Sequence, residues 1–319
     1  MQKSIFFLIP FLLLLLSCEE EYIPQDVFDK AEISVEGYIE YGDSALPPYV
    51  ILTKSFPYTS TLSPEALNEL FIHDAIVKVS DGTIEVQLTE ICLNDILSFD
   101  STLAEIIATS IGLGGVDLGT LNYCVYVDIG RFLGSSALVP TQGNSYYLTV
   151  INGEDTVRAT TTIPPLIPLD SVFYVSHPDF PANDSLVEIR AKLRDFPNRA
   201  DFYRIFTQRN REPMFALLGG SVTDDKIFDG REFEFPIQRG QPQTADFDVN
   251  TFGYFLRGDT VTVRSANLDY RHFRFWQTLE YNIGTQGPFT SYVRIESNIN
   301  GGLGIWGGLS FGDYKLIIQ

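Results

Sequence analysis

The chain has 319 residues, and 22 Lys and Arg against 41 Asp and Glu leave a net charge of −19. So acidic a balance argues against binding nucleic acid or anionic lipid through the protein's own surface. Wholesale disorder is also excluded, because 45% hydrophobic residues, with 24 Phe and 16 Tyr, can supply a core.

The chain opens with a leader. Lys3 precedes an apolar run from Ile5 to Leu16, which has the length of a secretory h-region and is too short for a stable bilayer-spanning helix. Leu15-Leu16-Ser17-Cys18 resembles a bacterial lipobox, so residues 1–17 are expected to be removed and Cys18 to carry lipid. Several acyl chains, at about 0.8 kcal/mol per buried CH₂, would hold the chain on a membrane. Glu19, Glu20 and Glu21 follow, resembling the export signal of Bacteroidetes-type surface lipoproteins. Residues 18–30 then read as an acidic, lipidated tether.

Ala31 to Tyr41 alternates as a half-buried strand, with Ile33, Val35 and Ile39 on one face and Glu32, Ser34, Glu36 and Glu40 on the other. Gly37 is expected to be a bulge. Leu46-Pro47-Pro48 turns the chain into a strand over Tyr49–Ser55. Ser63-Pro64-Glu65 signals a short helix with Leu67, Leu70 and Phe71 on one face. Ala75–Val79 and Thr83–Leu88 form a hairpin about Asp81-Gly82.

Residues 93–122 read as an insertion. Thr102 and Glu105 have capping-box spacing, and Leu103, Ile106, Ile107 and Ile111 fall at helical offsets. They would either cover the first domain or form an exposed apolar patch. The insertion is flanked by Cys92 and Cys124. With Cys18 spent on lipid, these two either form a disulfide or remain separate buried thiols.

Strands follow at Tyr123–Ile129, Ser145–Ile151 and Thr156–Thr162, and Ile163–Pro168 reads as a stiff proline linker. Further strands are expected at Val172–Val175, Leu186–Leu193, Phe202–Thr207, Met214–Leu218, Glu232–Ile237, Thr251–Phe255 and Thr260–Ser265. Leu268–Tyr281 is an amphipathic aromatic helix presenting Phe273, Trp276, Leu279 and Tyr281. The Gly301–Gly308 run implies positive φ or close backbone approach, with Leu303, Ile305 and Trp306 filling gaps.

The residues that carry chemistry are sparse. His73, His177 and His272 lie far apart and none has metal-ligand spacing to another His or Cys. Ser221, Ser265 and Ser310 lack a nucleophile-elbow sequence. Asp224-Asp225 and Asp246-Phe247-Asp248 lack an EF-hand pattern and read as solvated turns. No catalytic, cofactor-binding or metal-binding residue is expected.

Several stretches together resemble the Bacteroidetes lipoproteins grouped as domain of unknown function 4249. They are VEGYIEYGDSALPPYVILTKSFPYTS, AIVKVSDGT, NSYYLTVINGEDTVRATTTIPPLIPLDSVFY, HFRFWQTLEYNIG and SNINGGLGIWGG. The resemblance implies an outer-membrane lipoprotein associated with a TonB-dependent receptor, and it carries no established catalytic residues.

The expected fold is all-β, with two β-sandwich-like domains at residues 31–165 and 166–319 and a few short helices. The expected function is non-enzymatic: an accessory or binding protein in nutrient capture, anchored to the outer membrane and more readily surface-exposed than periplasm-facing. A stand-alone surface glycan or polymer binder is the alternative. An extracellular hydrolase would require a deep pocket lined by convergent carboxylates or a His–carboxylate pair.

Overall fold

A computed structural model describes residues 32–56, 68–99, 123–177, 185–218, 220–241, 251–285 and 293–319. The leader, Cys18, the tether, the Ser63 helix start, the Thr102–Ile111 helix and Asp246–Asp248 lie outside the described residues.

In chain order the strands begin with β1 (Ile33–Tyr41), β2 (Tyr49–Lys54), β3 (Ile76–Ser80), β4 (Glu85–Gln87), β5 (Thr89–Cys92) and β6 (Cys124–Val127). The next six are β7 (Ser145–Asn152), β8 (Asp155–Thr162), β9 (Leu169–Ser176), β10 (Leu186–Arg194), β11 (Phe202–Arg209) and β12 (Phe215–Ala216). The last are β13 (Val222–Asp224), β14 (Glu232–Ile237), β15 (Phe255–Leu256), β16 (Thr260–Leu268), β17 (Ile299–Asn300) and β18 (Leu303–Ile317). Among the described residues the helices are Leu93–Phe99, Ile129–Phe132 and Tyr270–Gly284. The all-β expectation holds.

A long sheet runs β12-β11-β16-β18-β1-β2-β6-β5, with β13 also paired to β11. Two smaller sheets stack against it. One has the order β17-β8-β7-β3-β4, and the other joins β9, β14 and β15 to β10. The first packing interface holds Val35, Ile39, Val50, Val77, Leu148, Val157 and Trp306, and the second holds Val187, Ile189, Tyr203, Ile205, Val261 and Val263. Strands from both sides of residue 165 therefore share one sheet, although each side has a core of its own. The Ile163–Pro168 segment is not a free spacer: Ile163 is buried in the first core and Ile167 in the second.

Two strands at opposite ends of the sequence meet at the centre of the long sheet. β1 runs parallel to β18, from Ser34 opposite Leu303 to Tyr41 opposite Ser310. β18 is the longest strand, and the glycines that hid it from strand patterning let it fit. A Cβ on Gly308 would stand 2.5 Å from the Thr162 carbonyl oxygen. Its absence lets β8 approach so closely that the Gly308 N–H donates to Thr161 Oγ1 at 2.6 Å. The expected close approach is thus present, within a strand that patterning missed.

Gly37 is not a bulge. The ladder runs without a break from Glu36–Ile305 through Gly37–Trp306 to Tyr38–Gly307, and the odd/even alternation never slips. Gly37 instead leaves room for the Trp306 ring, which a Cβ would approach to 3.0 Å. Met214–Leu218 and Thr251–Phe255 shrink to the two-residue strands β12 and β15. The expected strand Tyr123–Ile129 stops at Val127, where Asp128 caps a short helix through the Arg131 N–H.

Cys92 and Cys124 lie directly opposite each other on β5 and β6, with Cα atoms 4.0 Å apart, and form a disulfide. The bridge staples the base of the segment between them.

Candidate functional site

On β1 the odd-numbered residues face the first core and the even-numbered ones face away from it. Sequence patterning assigns Glu36 and Glu40 to solvent on that second face. Glu36 is exposed, as that assignment has it, whereas Glu40 is buried, and the aromatic helix covers part of the face. The helix starts where Asp269 accepts the His272 N–H at 2.8 Å, just beyond the end of β16. Phe273 packs there with Tyr38, Leu268, Ile305, Leu309 and Phe311. Trp276 is half-buried, whereas Tyr281, expected on the same apolar face, is exposed.

Between this helix and the sheet lies a recess of about 310 Å³, whose polar lining includes Glu36, Tyr38, Glu40, Tyr49, Arg204, Arg264, His272 and Trp276. Glu36 keeps contact with solvent, whereas Glu40, Arg204 and His272 are buried. Glu36 accepts a hydrogen bond from the Tyr38 hydroxyl at 3.1 Å, and Glu40 accepts the Leu46 N–H at 3.1 Å. Desolvation raises the pKa of both carboxyls above the ordinary carboxylate value. The Tyr38 and Tyr49 hydroxyls are pushed far up, by burial first and by the carboxylates second.

The two arginines of the lining are each engaged elsewhere. Arg204 lies 3.5 Å over the Trp276 ring, donates from Nε to Ser221 Oγ at 2.9 Å and sits 3.8 Å from Glu280. Glu280 in turn accepts the Ser221 hydroxyl and, at 2.8 Å, the Ser221 N–H. Arg264 grips Asp313 with two bonds of 2.7 and 2.9 Å. His272 turns Nδ1 toward the Gly308 carbonyl at 3.2 Å, which makes Nδ1 the protonated nitrogen of a neutral ring. Nε2 is then an acceptor, and it is buried without a partner among the described residues. Burial lowers the imidazole pKa to about 4, so the ring is neutral at pH 7.

The other residues singled out in the sequence do not converge on this site. His73 is exposed, with Nδ1 2.6 Å from Glu90 Oε1, and His177 is buried with its ring 3.8 Å from that of Tyr254. The sulfurs near His73 and Glu90 are held in the disulfide. Ser221 serves Arg204 and Glu280, while Ser265 and Ser310 are buried with no hydrogen-bond partner for their hydroxyls among the described residues.

Asp225 is not a solvated turn residue. It is buried in a cluster with Asp195 and Asp201, whose carboxylate oxygens lie within 4.8 Å of one another. Internal donors engage all three: the Tyr203 hydroxyl and Gly230 N–H for Asp195, Arg199 for Asp201, and the Asp201 N–H for Asp225. No sequence signal pointed to this trio, because its members come from three separate segments.

The chain is thus an all-β protein with a partly buried polar recess between a long sheet and one helix. It belongs to the family described as Domain of unknown function (DUF4249), whose model matches residues 19–315. No curated protein matches the chain.

Proposed function

We propose that this is a non-enzymatic lipoprotein, anchored in the outer membrane through Cys18, that binds a small ligand in the recess and works beside a TonB-dependent receptor in nutrient capture. The observation that supports binding is the recess itself, where carboxylates, tyrosines and an unpaired imidazole nitrogen share one concave, partly apolar surface. Hydrolysis would call for a nucleophile or a His–carboxylate pair in the recess. His272 reaches a backbone carbonyl rather than a serine or a carboxylate.

Stand-alone glycan binding would call for an exposed aromatic platform. Of the exposed rings among the described residues, Tyr270 and Tyr281 share the aromatic helix, eleven residues or about 16 Å apart along its axis, while Tyr41, Phe56, Phe132, Tyr147 and Phe196 lie elsewhere in the chain.

Fractionation and co-purification test the proposal together. The wild-type chain should partition with outer membranes and, after mild crosslinking in detergent, bring down a TonB-dependent receptor. Cys18→Ala should leave the membrane fraction. A Cys18→Ala chain that stays membrane-bound would refute the anchor, and no crosslinked receptor would refute the association.

A further inference from the structure

We propose that the recess takes a small organic cation, one bearing a primary ammonium or guanidinium group, with Glu36 and Glu40 as its counter-charges. This rests on the recess being a ligand site and narrows it to a chemical class.

The argument begins with the charges around the recess. Arg204 already faces Glu280, and Arg264 is committed to Asp313. Glu36 and Glu40 receive bonds from neutral donors, Tyr38 Oη and Leu46 N, and no ion pair involving either forms among the described residues. Two carboxylates therefore line a concave space without an ion-pair partner among the described residues, Glu40 buried and Glu36 open to solvent. A charge withdrawn from water without a partner is costly, and a bound cation removes that cost. The raised pKa of both groups agrees with this, because desolvation outweighs the more distant arginines.

His272 is a second, independent observation. Its Nε2 is an acceptor without a donor among the described residues, in a residue only 1% exposed. This acceptor and the two carboxylates without ion pairs suit a donor-rich group better than an anion. Trp276, one helical turn further along the same face, carries an indole N–H that also lacks a partner and can serve the acceptor end of such a ligand. The tyrosine rings of Tyr38 and Tyr49, with centroids 5.6 Å apart, add faces that attract cations. A volume of about 310 Å³ lies at the small end of ligand sites and suits a molecule of amino-acid size better than a polymer.

The test is calorimetric titration of the full-length lipoprotein in detergent at pH 7.5 and low salt. The probes are n-pentylammonium and n-butylguanidinium, their uncharged counterparts 1-pentanol and n-butylurea, and maltose as a neutral polyol. A cationic probe should saturate one site, its counterpart should bind at least tenfold more weakly, and Glu36→Gln and Glu40→Gln should each weaken the cation at least tenfold. Both variants remove a charge without an ion-pair partner, so their thermal midpoints should equal or exceed wild type, which separates lost binding from lost folding. Equal binding of charged and uncharged probes, or unchanged affinity in both variants, overturns the inference. Maltose binding that disappears in the two variants overturns the cation class but keeps the recess as a ligand site. No binding by any probe overturns the inference and, if the receptor still co-purifies, separates the recess from receptor association.

Discussion

At the residue scale, His272 and the two glutamates pull the pH dependence of stability in opposite directions. His272 has a folded pKa of about 4, below its ordinary 6.5, so its contribution is complete above 6.5 and is lost as pH falls toward 4. Glu36 and Glu40 have raised folded values, so their ionisation destabilises the fold, and that penalty disappears as pH falls through those values. The charged groups around His272 are Asp269 on its own helix and Arg204 across from it on β11, and Tyr38 on β1 stacks near its ring. His272→Gln should therefore flatten the decline of the thermal midpoint between pH 6.5 and 4. An unchanged slope in that window would show that the imidazole does not titrate as its burial requires.

These residues also show what can be read from a sequence. Alternation correctly placed Glu36 and Glu40 opposite the core face of β1. It had no means of showing that a helix more than two hundred residues later folds over that face and turns a solvent position into a lining. His272 was legible as part of an amphipathic helix, but its burial against Gly307 depends on a glycine in a strand that patterning did not find. The Asp195–Asp201–Asp225 trio is a purely tertiary feature.

At the element scale, period-two alternation was a sound guide where side chains carried it. β7, β8 and the hairpin of β3 and β4 formed as expected, with Gly82 at φ 92° in the turn. It failed at β18, where small residues stand in for large ones because neighbouring backbone and the His272 ring come too close. The disulfide between β5 and β6 was one of two open alternatives, since spacing alone cannot bring two Cα atoms together. In the chain-entropy account, closing a loop with 32 residues of separation is worth roughly 3–4 kcal/mol. Replacing both Cys92 and Cys124 by Ala should lower the unfolding free energy by about that amount in urea titrations, with little change in the recess. Loss of under 1 kcal/mol would indicate that the intervening segment gains nothing from closure.

On the scale of the whole molecule, two cores are joined by one sheet. β1 and β2 supply the first core and β11 and β16 the second, while β18 contributes Trp306 to the first and pairs with β16 beside the second. Calorimetry should accordingly give one transition, with calorimetric and van't Hoff enthalpies in agreement. Two resolved peaks would mean that the shared sheet divides between β1 and β18. The charge of −19 belongs to this scale too: it disfavours anionic surfaces and favours the approach of cations.

The parallel pairing of β1 with β18 has a temporal consequence. A chain made from its N-terminus onward exposes Ser34 long before Leu303, its partner, has been synthesised. Neither core can close around its common strand until synthesis is nearly finished. The largest sheet is therefore assembled last, through contacts of high sequence separation that form slowly, and the unfinished protein carries a long strand edge open to whatever chaperone meets it.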